Sequence, residues 1–349
     1  MIGIGYRDRL HSATKVAAVI DALLREGIPP AEALRGTHLH ISELHLPATR
    51  ISLDQTIEAC KNALKLSLDP NLAFNVGSSI HLSTFGMYGY AMLCSTDFRK
   101  TMDFAVKYHQ LATPLTNISF EDTGTTAIWD IKPLAHPRID AALYRFITEF
   151  QIGIHISLMR DVMGATFMPT AVTVTMPGTE TRLTQDVVGC PVHVTQPGNQ
   201  IILDSMWLDR RPTLGNRATY AAALEICGNL IAELGRGSGV AGRVRKILIE
   251  DIANGPDFKI VAKRLRTTER TLRRQLRSEQ TSFREIVDEL RMQLATKYLR
   301  DTDMTGEDIA LAIGFSDAAN FRHAFRRWTQ ESPSEFKHLA TDTQRRSDM

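Results

Sequence analysis

Four cysteines, Cys60, Cys94, Cys190 and Cys227, lie far apart in a chain of 349 residues and form no CxxC pair. A dense disulfide framework is excluded, and free thiols in a reducing, cytoplasmic setting are expected. No apolar run reaches the roughly eighteen residues that a spanning helix needs. The opening MIGIGYRDRLHSATKVAAVIDALL is a weak apolar run broken by charge, so it is not read as a signal peptide, and neither membrane insertion nor secretion is expected. GxSxG, HExxH and GxxxxGKS/T are all missing, and the acidic residues are scattered as on helix surfaces. No catalytic residue, metal or cofactor is expected, and the chain is not read as an enzyme. His38, His40 and His45 crowd one loop, but that loop is polar and has no cysteine cluster beside it, so a solvated loop is preferred to a metal site. An excess of one charge sign is also missing: the formal net charge is +2.

What is present is a charge distribution. Residues 242–349 hold 21 Lys/Arg against 17 Asp/Glu, whereas residues 1–241 hold 20 against 22. The basic excess is C-terminal, and much of it lies in 259–277. The length predicts two or three domains. In the first 215 residues helical spacing appears over 13–35, ended by Gly27 and Pro29-Pro30, and again after Ser52. Short helices are predicted over 71–76, 84–95 and 97–111. The period then changes. TNISFED (116–122) and TTAIWDI (125–131) alternate around Thr123-Gly124 and read as an antiparallel hairpin. A long helical pattern follows, with Pro137 at its first turn and Gly164 at its end. Strands are predicted at 171–176, near 191–195 and at 201–204, and an amphipathic helix at 217–234. Gly and Ser crowd 235–242, which reads as a flexible linker.

Beyond 242 every signal is helical. In FKIVAKRLRTTERTLRRQLRSE a short helix over 258–265, with Ile260, Val261 and Leu265 inward, precedes a second helix capped by Thr268 and burying Leu272 and Leu276. In EDIALAIGFSDAANFRHAFRRWTQ a helix over 307–313 turns at Gly314 into another, capped by Ser316 and burying Phe321 and Phe325. Each is a helix-turn-helix unit. Between them 281–301 is one long helix, opened by Ser282 and Glu285 as a capping box. The first unit carries Arg270, Arg273, Arg274 and Arg277 in eight positions. Such a face requires a polyanion, an acidic partner, or solvation with Glu269 and Glu279 as local partners.

The motifs VAKRLRTTERTLRRQL, SFREIVDELRMQLATKYL and IALAIGFSDAANFRHAFRRWTQESPSEFK resemble the DNA-binding domain of AraC/XylS-type transcription regulators over about the last hundred residues. GIPPAEALRGT, HLSTFGMYGYAMLCS and LATPLTN more loosely resemble the arabinose-binding-like, ligand-binding domain attached to such regulators. The resemblance implies an α+β N-terminal domain of helices and antiparallel strands, and an all-α C-terminal domain with two helix-turn-helix units joined by a long helix. The corresponding division is a sensing domain over 1–215, a connecting helix and linker over 216–241, the DNA-binding domain over 242–341 and a tail over 342–349. It also implies two recognition helices in successive major grooves. Arg270, Arg273 and Arg274 fall on the base-facing positions of the first unit, with Arg270 and Arg274 expected at base edges and Arg277 at a phosphate. In the second unit Asn320, Arg322 and His323 can hydrogen-bond to bases, Ala318 and Ala319 offer only methyl contact, and Arg326 and Arg327 face phosphates. Phe321, Phe325 and Trp328 are read as core.

Candidate ligand residues are those where aromatics, Met and Gly interrupt the pattern: His81, Phe85, Tyr88, Tyr90, Met92, Trp129 and Tyr144. The expected partners are double-stranded promoter DNA, a small-molecule effector, a second copy of the chain through 217–234, and RNA polymerase where the chain activates. A ligand-independent architectural DNA-binding protein is the alternative, and an enzyme fused to a DNA reader a more distant one.

Overall fold

The helices of the first domain start where a side chain can take up backbone N–H groups left without partners by the helix geometry. Ser52 Oγ accepts from Gln55 N (3.2 Å) while Gln55 Oε1 accepts from Ser52 N (3.0 Å), which opens the helix Leu53–Leu66. Asp97 accepts from Lys100 N to open Phe98–Lys107, and Asp140 from Leu143 N to open Ala141–Met163. The computed structural model describes residues 5–112, 115–134, 136, 138–175, 180–194, 198–210, 212–236, 239–279, 281–329 and 331–337, with backbone alone at 233–236, 300 and 301. Pro137, Met176, Thr195 and the tail 342–349 lie outside the described residues, as do parts of the LATPLTN and Gly/Ser-rich stretches.

The chain divides into two compact units. One comprises His11–Leu134 and Ile139–Ala232. Its helix Thr14–Arg25 buries Val16, Val19, Ile20 and Leu23, the stripe its spacing predicts. The longest helix, Ala141–Met163, is buried on nearly every side and packs along the helix Leu72–Ser78. Their close approach runs through two glycines. A Cβ on Gly77 would lie 2.2 Å from Phe150 O, and one on Gly153 would lie 2.5 Å from Phe74 O.

Five strands form one sheet: β1 (Thr116–Asp122), β2 (Thr126–Pro133), β3 (Ala171–Val174), β4 (Val192–Val194) and β5 (Gln200–Asp204), in the spatial order β1-β2-β5-β3-β4. β1 and β2 pair as the predicted hairpin, Phe120 opposite Trp129, with Gly124 at φ +91° in the turn. Ala127, Trp129 and Ile131 alternate inward. The sheet is mainly antiparallel, as expected, and at one edge β3 and β4 run parallel. Their connection includes the short helix Gln185–Val188, which supplies the crossover that a parallel pair requires.

The other unit gathers residues 5–10, 136 and 138 with the chain from 233 onward. The flexible coil expected over 235–242 is corrected here. One helix runs through Arg217–Arg236 and the next, Gly239–Asp251, begins inside the stretch. Gly239 is needed for close approach, not for flexibility: its φ is +58°, and a Cβ would meet Glu279 Oε1 at 2.5 Å. That carboxylate accepts from Val240 N (2.7 Å) and Ala241 N (2.8 Å), capping the helix N-terminus. On the same helix Arg245 is almost fully buried, with Asp8 at 2.5 Å and Glu289 at 3.2 Å. Among the described residues no helix is long and apolar enough to cross a membrane.

Candidate nucleic-acid interface and internal cavity

Two helix pairs in the second unit repeat one another bond for bond. Phe258–Arg264 and Gly306–Ala312 are the lead helices; Glu269–Ser278 and Ala318–Thr329 are the followers. In the first turn Leu265, Arg266 and Thr267 donate backbone N–H to Val261, Lys263 and Ala262. In the second, Ile313, Gly314 and Phe315 donate to Ile309, Leu311 and Ala310. Both turns need a left-handed residue, Arg266 at φ +54° in one and Gly314 at φ +78° in the other. Between the pairs runs the helix Phe283–Asp301, whose Arg291 donates to Ile313 O (2.9 Å) and Gly314 O (2.6 Å) and so fixes the second turn to the connector.

Several expectations need correction in detail. Ile260, expected inside, is 56% exposed, because Val261 and Ala262 take the inward positions of that short helix. Ser316 does not cap the last follower: Asp317, immediately before it, accepts from Asn320 N (2.7 Å). Ser282 caps the connector through Glu285 N (3.3 Å), but the Glu285 carboxylate pairs with Arg7 (3.2 Å) instead of completing a capping box.

Thr268 Oγ1 accepts from Thr271 N (3.2 Å) and starts the first follower, which buries Leu272 and Leu276 and leaves Arg270, Arg273, Arg274 and Arg277 exposed. The Arg273 guanidinium stands over the Phe258 ring at 5.2 Å, a cation–π contact that anchors it to its own unit. Of the two expected local counter-charges, Glu279 is occupied at the helix Gly239–Asp251, and no ion pair joins Arg270, Arg274 or Arg277 to Glu269 or to another described residue.

In the second follower Phe321, Phe325 and Trp328 are buried in an aromatic cluster with Phe315 and Phe336. Ala319, Asn320, Arg322, His323, Arg326 and Arg327 are exposed. Two of them are already engaged. Asn320 Nδ2 donates to Asp317 (2.7 Å), and Arg327 faces Asp288 (3.3 Å). Backbone and side-chain donors hold the Asp317 carboxyl below its ordinary range.

The first compact unit contains a partly enclosed, largely apolar cavity of about 30 Å³, room for about one water molecule. Phe85, Tyr88, Met92 and Trp129 line it, four of the seven residues singled out in the sequence. The other three stand elsewhere. His81 is exposed and bonds Asp161 (2.9 Å), Tyr90 is 48% exposed, and Tyr144 accepts from Asn199 Nδ2 (2.8 Å). Lys15, His109, Gln151 and His155 are lining residues that the sequence reading missed. The available signal was a lysine in phase with the buried stripe of Val19 and Leu23. Burial pushes Lys15 down to about 7 and His155 down to about 4, and His109 well below its ordinary value. His38, His40 and His45 do not gather: His45 lies 3.4 Å from Asp21, and no metal-holding group of His, Cys, Asp or Glu occurs among the described residues.

Comparison with known proteins covers both units. The profile of the arabinose-binding domain of AraC transcription regulators, N-terminal, matches residues 27–212, and a helix-turn-helix domain profile matches 261–338. The ornithine utilization regulator of Pseudomonas aeruginosa is 29% identical over 92% of this chain and 94% of that protein. The transcriptional regulator VqsM from the same organism is 29% identical over 75% and 82%. Among solved structures, the P. aeruginosa transcriptional regulator CdpR aligns over 92% of this chain and 96% of that one, at 20% identity and a TM-score of 0.47. With an N-terminal ligand-binding domain and a C-terminal helix-turn-helix DNA-binding domain, the chain belongs to the AraC family of transcription regulators.

Proposed function

We propose that this regulator reads promoter DNA mainly through the first follower helix, and that a small molecule held in the N-terminal cavity biases that reading. The observation that carries the proposal is the uncompensated cation face: Arg270, Arg274 and Arg277 are exposed, while the nearby Glu279 is spent on a helix cap. Arg270 and Arg274 would form bidentate contacts to guanine edges and Arg277 would neutralise a phosphate. Arg273, steadied by Phe258, stands on the same face. The second follower contributes Asn320, Arg322 and His323 near bases and Arg326 and Arg327 at phosphates. The engagement of Asn320 by Asp317 and of Arg327 by Asp288 supports a smaller share of discrimination there. In this reading the two followers occupy successive major grooves, the chain acts in the cytoplasm without catalytic activity, and a second copy pairs along the helix Arg217–Arg236. Where it activates, RNA polymerase is a further partner.

The test is a binding series on the chain's own promoter against random DNA at physiological salt. Arg274→Ala is expected to cost about 1–3 kcal/mol and to relax preference at one base pair. Arg277→Ala should weaken all sequences alike and flatten the salt dependence. Equal wild-type affinity for promoter and random DNA would favour the architectural alternative. Greater loss of discrimination from Asn320→Ala or Arg322→Ala would reverse the assignment of the two units.

A further inference from the structure

We infer that Asp317 is a specificity-determining residue of the second unit: its carboxylate orients the Asn320 amide so that the amide reads adenine. This rests on the reading of the helix Ala318–Thr329 as one of the two DNA readers. Asp317 stands immediately before that helix and Asn320 in its first turn, and both are exposed. Asp317 Oδ1 accepts from Asn320 N (2.7 Å) and so caps the helix, while Oδ2 accepts from Asn320 Nδ2 (2.7 Å) and from the Ser316 hydroxyl (3.0 Å). The sister unit is capped without charge. There Thr268 Oγ1 accepts from Thr271 N (3.2 Å) and donates to Thr271 Oγ1 (3.0 Å). A serine hydroxyl caps a helix about as well as a carboxylate, and a negative charge facing phosphates opposes binding. Capping therefore does not account for a carboxylate at 317. What the carboxylate adds is a second oxygen, and that oxygen holds Asn320.

An ionised carboxylate only accepts, so the side of the Asn320 amide turned to Asp317 is its nitrogen, and the direction of the amide is fixed. Of the two N–H bonds on a planar amide nitrogen, one lies on the side of Cβ and the other on the side of the carbonyl oxygen. The first points back toward the chain, within reach of a residue three positions earlier. Its use by Asp317 leaves Oδ1 and the second N–H side by side on the outer edge. That edge matches adenine in the major groove, where N6 donates and N7 accepts. It mismatches guanine, whose O6 and N7 both accept. The engagement thus narrows Asn320 to one base without disabling it, which agrees with a smaller share of discrimination than the arginine face carries. Donation from Asn320 N and from the Ser316 hydroxyl keeps the Asp317 carboxyl below its ordinary range, so the hold is in place at neutral pH. Ala318 and Ala319 bring no polar side chain to compete for the same base.

The experiment is selection by the full chain, at physiological salt, from a pool of duplexes with a randomised core of about two helical turns, followed by sequencing of the bound fraction. The wild type should favour adenine over guanine about tenfold or more at one position, the strength of a bidentate contact. Asn320→Ala should remove that preference and leave the others. Asp317→Ser, which retains a cap, should cut the preference at the same position at least about threefold, the loss of one orienting hydrogen bond. It should also bind random duplex about two- to fivefold more tightly, because one negative charge is gone. Asp317→Asn should lose the preference too, its single acceptor oxygen being taken up by the cap. Combining Asp317→Ser with Asn320→Ala should do no more at that position than Asn320→Ala alone. Melting temperatures close to that of the wild type separate loss of reading from loss of fold. Undiminished adenine preference in both Asp317 variants would overturn the orienting role and leave the helix as a DNA reader. An Asn320→Ala profile identical to wild type, or an Asn320-dependent preference for another base, would do the same. A lowered melting temperature with uniform loss at every position would make Asp317 a cap alone. Enrichment of no sequence by the wild type would remove the promoter reading along with it.

Discussion

Lys15 and Arg245 are both taken out of water, with opposite provision for their charge. Arg245 is met by Asp8 and Glu289, so removing it takes the cation from between two largely buried carboxylates. Arg245→Met should therefore cost about 3–5 kcal/mol in urea unfolding at neutral pH, and less when the carboxylates are protonated. Lys15 has no carboxylate partner among the described residues, and its lowered proton affinity gives a pH signature. The unfolded chain keeps the lysine protonated up to its ordinary value of 10.5, whereas the native chain releases the proton near 7. Above pH 7 the unfolded state binds more protons, so the ligand-free protein should gain stability as pH rises from 7 to 9. Beyond 9 the gain is opposed, because the buried Cys60 thiol is pushed up to about 12 and its unfolded counterpart ionises first. Tyr88, also raised by burial, acts in the same direction at higher pH. On the acid side His11 and His155 are both lowered from 6.5 to about 4, and His109 lies well below 6.5, so stability should fall as pH drops from 6.5 toward 4. Melting curves across both windows check the signs, and Lys15→Met should abolish the alkaline slope while keeping the acid one. The sequence revealed the arginine face fully, because exposure follows from the positions of Leu272 and Leu276. It revealed the cavity by half. Aromatic residues stand out in a pattern, but a lysine on an apolar stripe looks the same whether its head reaches solvent or ends inside.

At the scale of elements, the two turns of the repeated unit solve one backbone problem with different residues, and this separates them energetically. Gly314 adopts its left-handed conformation without strain, and a Cβ there would lie 2.3 Å from Ile252 O. Gly314→Ala should cost about 3 kcal/mol or more, combining strain with a clash against backbone. Arg266 holds the same conformation with a full side chain in an exposed position. Arg266→Gly should be neutral or stabilising by up to about 1 kcal/mol, since the relief of strain is offset by the entropy of a more flexible unfolded chain. Thermal unfolding of the two variants decides the matter; destabilisation by Arg266→Gly would mean that the arginine makes contacts outweighing its strain. The glycine-rich stretch shows why such features are hard to read. Density of glycine reads as flexibility, yet Gly239 serves a cap from Glu279, forty residues away in sequence and invisible to any local pattern. Gly77 and Gly153 likewise permit two helices to touch, which neither helix reveals alone. The hairpin and the two helix-turn-helix units were legible because their signals are local: alternation about Gly124, N-caps at Thr268 and Ser282, and apolar spacing of three or four. The parallel pair of β3 and β4 was not, because pairing direction is set by the crossover and not by the strands.

For the whole molecule, the division into a mixed N-terminal unit and a helical C-terminal one follows from the change of period along the chain. The exception is the segment 5–10, which belongs with the C-terminal unit through the Asp8–Arg245 pair, a contact with no periodic signature. The helix Arg217–Arg236 buries Ala223 and Cys227 but exposes Ile226 (42%) and Leu230 (37%), four residues apart on one side. Two large apolar side chains at that spacing are the start of a helix-pairing seam. If a second copy covers them, two DNA-binding domains are tethered, and the second contact on a two-site promoter becomes intramolecular. Ile226→Glu together with Leu230→Glu should then leave affinity for a single site unchanged while lowering affinity for a two-site fragment by about 10- to 100-fold, at the lower end of what tethering supplies. Sedimentation should show the wild type as a dimer at micromolar concentration and the double variant as a monomer. A wild-type protein that stays monomeric with and without two-site DNA would remove the pairing, leaving each chain to bind through its own two helix-turn-helix units.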